Sequence, residues 1–111
     1  MKIGLVQINN SFTNHNYFPY SVILLQAFAQ KNLENAKDFE FLSPIYSRIP
    51  VKEAVGKLLP SDIVCFSTYV WNMQISLKIA EEIKKTKPQT IIIFGGPQVP
   101  NKTEEFLQRN D

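Results

Sequence analysis

Two short stretches carry the side chains best suited to holding a ligand. The first is Ser67-Thr68-Tyr69-Val70-Trp71-Asn72, which follows the apolar run Ile63 to Phe66. Hydroxyls, an amide and two flat rings meet there. The second is Gly95-Gly96-Pro97, which follows the run Thr90 to Phe94. Paired glycines directly after a buried strand let another backbone or a flat ligand come close. The plain alternatives are a tight strand-to-helix turn at the glycines and a hydrophobic staple with an N-cap at 69–72. Both stretches at neighbouring strand ends favour binding, because ligands of open α/β sheets sit at the carboxyl ends of the strands.

The same residues argue against several reactions. Ser67 has no glycine elbow, and His15 is the single histidine, which disfavours a serine triad. Glu81-Glu82 and Glu104-Glu105 are adjacent on helical stretches. Adjacent helical positions do not face each other, so these are solvated faces rather than acid–base pairs. A dinucleotide or Walker loop needs glycines after the first strand, and Asn9 to Asn16 contains none. That loop also lacks the acids of a phospho-acceptor domain and the Ser/Thr/Gly run of a flavin phosphate loop. Cys65 is the one cysteine, which rules out an internal disulfide and any cluster built from several cysteines of this chain. Its place in an apolar strand reads as a small core residue.

The elements that must position these residues follow from periodicity. The chain has 111 residues, 44% of them hydrophobic, which fits one domain with a real core. Lys2 to Ile8 reads as a strand, followed by a polar loop from Asn9 to Asn16. Pro19 suits a first helical turn, and Tyr20 to about Lys31 is apolar on nearly every side, which predicts a buried helix. Asp38 to Leu42 fits a short strand. Pro50 opens a helix in which Val51, Ala54, Val55 and Leu58 fall at i, i+3, i+4 and i+7. Pro60 stops it, and the strand Ile63 to Phe66 follows. Asn72 is a good N-cap for a helix to Thr86, with Ile75, Ile79 and Ile83 in one stripe and Ala80 beside it. Lys84, Lys85 and Lys87 suit its negative end, and Pro88 forbids continuation. Thr90 to Phe94 is a fourth strand, and Pro100 to Gln108 starts another helix. Neither Ile63–Phe66 nor Ile91–Phe94 alternates with polar residues, so both are expected to be buried on both faces.

Strand–helix alternation of this kind predicts an α/β fold: a flavodoxin-like or Rossmann-like parallel sheet of order 2-1-3-4. No fifth strand precedes Asp111, so the chain is expected to be one domain, 1–111, cut from a longer protein. An unpaired sheet edge would then favour homo-oligomers. Net charge is +2 with no long basic cluster, so no nucleic acid is expected. No signal peptide or apolar run of about 20 residues is present, so no membrane association and a cytoplasmic location are the default expectations.

The segment Asp62-Ile-Val-Cys-Phe-Ser-Thr-Tyr-Val-Trp-Asn72, a helix, Lys87-Pro88, an apolar strand and Gly95-Gly96-Pro97 resemble the N-terminal cobalamin-binding domain of B12-dependent radical SAM proteins. The resemblance covers most of the chain and is strongest from Asp62 to Pro100. It implies a Rossmann-like domain holding cobalamin at the carboxyl edge of its sheet. It also implies a C-terminal radical SAM barrel whose CxxxCxxC motif ligates a [4Fe–4S] cluster and S-adenosylmethionine. With one cysteine, this chain lacks that motif, so it is not expected to be catalytic alone. A cobalt-binding histidine would sit in a DxHxxG motif after the first strand. Asn9 to Asn14 lacks it, and His15 has no flanking Asp or Gly, so the resemblance implies base-off cobalamin without a histidine ligand. By position, Ser67 matches the serine that bonds the nucleotide base. Gly95 and Gly96 match the pair that lets the nucleotide tail pass. Asn10, Ser11, Tyr69 and Trp71 would face the corrin, and Thr68, Asn72 and Pro97 complete the candidate set. A branched residue at Gly96 is expected to block the ligand while sparing the fold. The competing readings are a cobalamin-free Rossmann-like scaffold or interaction domain and a nucleotide-sugar-binding domain.

Overall fold

A computed structural model describes residues 1–9, 11–12, 15–16 and 20–96. Strand β1 is Lys2–Val6, β2 Ser11–Phe12 and β3 His15–Asn16. Helix α1 is Tyr20–Asn32, followed by a 3-10 turn, Ala36–Asp38, and the short strand β4, Glu40–Phe41. Then come α2 (Val51–Leu58), β5 (Ile63–Ser67), α3 (Met73–Thr86) and β6 (Ile91–Gly95). The main sheet has the order β4-β1-β5-β6 and every pairing in it is parallel. This is the expected flavodoxin-like 2-1-3-4 order. Pro19, Asn10, Pro97 and the helix anticipated at 100–108 lie outside the described residues.

The core lies on one face of this sheet. Val6, Val64 and Phe66 pack with Ala54, Val55 and Leu58 of α2 and Ile79, Ala80 and Ile83 of α3. Both helices turn inward the stripes that their sequence spacing predicts. Phe66 and Phe94 are partners in the β5–β6 register, and their rings stack with centroids 5.1 Å apart. Outside the core, Lys78 pairs with Glu82 at 3.3 Å and Lys85 with Glu81 at 3.2 Å, each one helical turn apart. The ammonium of Lys87 donates to the carbonyls of Leu59 and Ser61, and that of Lys84 to Pro88 and Thr90.

The opposite face corrects two expectations. Leu5, Cys65 and Ile93 are neighbours across β1, β5 and β6. Leu5 is 1% exposed, Cys65 is half-buried and Ile93 is 49% exposed, with Ile91 at 53%. Cover therefore thins across the sheet, and β6 is not buried on both faces. An unbroken apolar run does not say whether a second layer lies over it. Helix α1 has the same lesson. Val22 is buried, but Leu24, Leu25 and Phe28 are exposed, Phe28 by 64%. Its all-round apolar composition does not make it buried, because only one side of it is covered.

Two local differences are smaller. The polar stretch after β1 is not simply a loop: Ser11 pairs with Asn16 and Phe12 with His15 in an antiparallel ribbon. The strand anticipated at 38–42 is shorter, Glu40–Phe41, and the 3-10 turn takes Asp38. The parallel pairing nevertheless continues past Phe41, since the amide of Ile45 donates to the carbonyl of Leu5 at 3.0 Å and that of Gln7 to Ile45 at 2.9 Å.

Candidate functional site

The carboxyl edge of the sheet gathers four chain segments: 7–9 after β1, 43–48 after β4, 67–72 from the last residue of β5 and 95–96 from the last residue of β6. Parallel pairing brings Ser67 and Gly95 side by side as register partners. One step on, Thr68 ties the two strand ends together. Its amide donates to the carbonyl of Gly95 at 2.8 Å, and its hydroxyl donates to the same oxygen at 2.7 Å. Thr68 is fully buried, so it holds the edge together rather than presenting a hydroxyl to it.

Asn72 caps α3 by position but not by the expected side-chain bond to the helix. Its buried amide group points back into the sheet edge. The Nδ2 group donates to the carbonyls of Ile8, at 2.9 Å, and Ser67, at 3.0 Å. The Oδ1 atom accepts from the Tyr69 amide at 2.8 Å. One side chain thus satisfies three main-chain groups and fixes the ends of β1 and β5 together with the turn between β5 and α3.

That turn presents the aromatic pair. The rings of Tyr69 and Trp71 stack with centroids 4.7 Å apart and planes 3° from parallel. Trp71 is 42% exposed, and Val70 at the tip is exposed. The guanidinium of Arg48, from the loop after β4, donates to the carbonyl of Trp71. Nothing in the spacing of the sequence marks Arg48. Gln7 and Asn9, just past β1, are buried polar residues that the apolar pattern does not mark. Gln7 accepts from the amide of Val22 at 3.3 Å and so satisfies a donor in the first turn of α1.

The two glycines differ sharply. Gly96 has φ +101°, and a Cβ built there would lie 2.5 Å from the Thr68 carbonyl oxygen and 2.9 Å from its nitrogen. A branched residue at Gly96 therefore damages the fold, contrary to the expectation from the strand boundary. Gly95 has open space: a Cβ there meets nothing within 4 Å. Ser11 lies in the β2–β3 ribbon; Asn10 and Pro97 are outside the described residues.

The edge offers hydrogen bonding and ring faces rather than acid–base groups. Burial pushes the Cys65 thiol up, which disfavours a reactive thiolate. Among the described residues no group of three or more His, Cys, Asp or Glu is placed to hold a metal ion, and no helix is long and apolar enough to cross a membrane.

The fold and this edge define a flavodoxin-like α/β domain with its candidate ligand face at the strand ends. Comparison with known proteins adds a direction. The chain is 28% identical, over 89% of its length, to the cobalamin-dependent radical SAM methyltransferase TokK of Streptomyces tokunonensis. It is also 28% identical, over 85% of its length, to a 2-(S-pantetheinyl)-carbapenam-3-carboxylate methyltransferase of Streptantibioticus cattleyicolor. The resemblance to B12-dependent radical SAM proteins thus extends along most of the chain. The chain spans only 15% and 14% of these relatives' lengths. No protein-family model matches it.

Proposed function

We propose that this chain is the cobalamin-binding domain of a B12-dependent radical SAM enzyme of the methyltransferase type. The observation that supports the reading is the open space beside Gly95, in register with Ser67, two residues before the Tyr69–Trp71 stack in the chain. Corrin is a large, mostly apolar ring with amide fringes, and such a ligand suits flat side chains with a few polar partners. The residues present fit it. Ser67 would bond the nucleotide base, the tail would pass Gly95, and Tyr69 and Trp71 would lie toward the corrin. Thr68, Asn72 and Gly96 would shape the edge without touching the ligand. When bound, cobalamin supplies a cobalt centre able to carry a methyl group. The iron–sulfur cluster and S-adenosylmethionine would belong to a C-terminal barrel domain, since one cysteine cannot supply their motif.

The cofactor is proposed to be base-off, with no histidine from this chain on cobalt. Titration of hydroxocobalamin into the chain, followed by visible absorption, tests the reading. Binding is expected for the parent and for His15→Ala with the same spectrum, and is expected to be lost in Gly95→Val. A changed spectrum in His15→Ala would overturn the histidine-free state. A parent that binds none at micromolar concentrations, alone or joined to its barrel domain, would leave the scaffold reading. That second reading draws on the exposed apolar residues of α1 and β6, which suit a docking surface.

A further inference from the structure

We propose that Arg48 is a positioning residue that sets the aromatic face of the sheet edge by holding the carbonyl of Trp71. The ligand half of this inference rests on the cobalamin reading; the positional half does not.

The turn from Tyr69 to Asn72 is held from inside at one end. Its first amide bonds the Asn72 side chain, and the Asn72 amide donates to the Tyr69 carbonyl at 3.1 Å. These bonds fix where the turn begins and closes. The Trp71 carbonyl and the Asn72 amide are the two ends of one planar peptide, which the Tyr69 carbonyl holds from inside the turn only at its N–H end. The Arg48 guanidinium reaches that part of the turn from another segment, 23 residues away in sequence, and bonds the carbonyl of Trp71. The orientation of that peptide constrains where the Trp71 side chain leaves the backbone, and so whether its ring lies parallel to Tyr69.

Arg48 can act as a fixed support because its own loop is anchored. The amide of Ile45 donates to Leu5, that of Gln7 to the Ile45 carbonyl, and that of Asn9 to the Tyr46 carbonyl at 3.0 Å. The loop after β4 is thereby a continuation of the sheet, alongside the end of β1. Arg48 transmits that register to the turn after β5. A guanidinium suits this role because its donors are set in a rigid planar fork, whereas lysine presents a point charge on a flexible stem. Between them, Asn72 and Arg48 bind the 69–72 turn to β1 and to the loop after β4. A flat ligand would then meet a preset ring face, and preorganisation raises affinity by lowering the ordering cost of binding.

Trp71 is the single tryptophan of the chain, so its spectra report this stack directly. The experiment compares the parent, Arg48→Ala, Arg48→Lys and, as the reference for the tryptophan signal, Trp71→Phe. Near-ultraviolet circular dichroism and tryptophan emission are recorded first on the ligand-free chain, with far-ultraviolet spectra to confirm folding. Arg48 is exposed, so both variants should fold. In Arg48→Ala the Trp71 near-ultraviolet band should weaken toward that of Trp71→Phe, with emission moving to longer wavelength, because the peptide is then held only at its N–H end. Arg48→Lys should restore it only in part. An unchanged Trp71 band in Arg48→Ala overturns the proposal. Hydroxocobalamin is then titrated into the same proteins. Affinity should fall about tenfold in Arg48→Ala, the scale of one lost charge-assisted hydrogen bond. Full affinity in Arg48→Lys with a disturbed tryptophan band would mean that charge, not ring placement, is what the ligand uses, and would overturn the ligand half. A parent that binds no hydroxocobalamin defeats the cobalamin reading instead, while the ligand-free spectra still decide the role of Arg48.

Discussion

Alanine at Gly96 and alanine at Gly95 should differ by several kcal/mol, although the residues are adjacent and both exposed. At Gly96 two costs add. The backbone has φ +101°, where a residue with a Cβ carries strain of about 1–3 kcal/mol. The new Cβ would also stand 2.5 Å from the Thr68 carbonyl oxygen, far inside contact distance. Thr68 cannot retreat cheaply, because its amide and hydroxyl both bond the Gly95 carbonyl at 2.8 and 2.7 Å. Moving it gives up one or both bonds, at about 1 kcal/mol each. The sum is about 2–5 kcal/mol. A domain of this size has a total stability of about 5–15 kcal/mol. The melting temperature should therefore fall by more than about 10 °C. At Gly95 the Cβ meets nothing within 4 Å, so Gly95→Ala should lie within about 1 kcal/mol of the parent, with a small gain from a stiffer unfolded chain. Urea and thermal melts of the three proteins measure the difference. A Gly96→Ala protein that melts with the parent would refute the argument that the Gly96–Thr68 contact locks the strand ends. It would also restore Gly96 as a selective probe of ligand binding.

Phe66→Ala should cost about 3–5 kcal/mol in urea melts, because the ring is buried between α2, α3 and Phe94; a loss under about 1 kcal/mol would mean that β5 is not central. Stability should decline as pH falls below the usual carboxylate range of about 4, because the Lys2 amide, aided by the charges of Lys87 and the amino terminus, holds the Asp62 carboxyl low, and Lys78, with Lys85 adding, does the same for Glu82. A carboxyl depressed in the fold stabilises above its unfolded value and loses that contribution as pH falls through the folded one, so Asp62→Asn with Glu82→Gln should flatten the acid limb; an equally steep limb would count against it. The exposed Leu25 and Phe28 of α1 should drive concentration-dependent association of the isolated chain, and sedimentation should show it reduced in Leu25→Lys with Phe28→Lys.

The order of the elements was readable because each carries its own period and its own stop. Val51, Ala54, Val55 and Leu58 define α2 between two prolines, and Ile75, Ile79 and Ile83 define the inner stripe of α3. Both stripes face the core in the structure. Cover was not readable. The runs Ile63–Phe66 and Ile91–Phe94 look alike in composition, yet only the first is well covered, because burial depends on what the rest of the molecule lays over a strand. The motif residues were found, but not what each does. Asn72 looks like a helix cap in one dimension, and its bonds to Ile8 and Ser67 depend on two strand ends meeting in space. Arg48 carried no signal, because its partner is a backbone carbonyl and any residue supplies one.

The division of labour at the edge has a physical origin. Where parallel strands end, their main-chain groups lose the ladder and need other partners. Thr68 and Asn72 fill that need between them: they satisfy the carbonyls of Gly95, Ile8 and Ser67 and the amide of Tyr69. Polar residues in such a motif are therefore used up by the fold before any ligand arrives. On the proposed reading, the ligand would use what the ladder does not require: the Ser67 hydroxyl, the stacked rings of Tyr69 and Trp71, and the space that Gly95 leaves open. A turn with fewer internal ties would leave the rings free to rotate, and a larger residue at Gly95 would close the space. The residues that look most chemical in the sequence hold the edge, and on the proposed cobalamin reading the surface offered to the ligand would be a hydroxyl, two flat rings and a missing side chain.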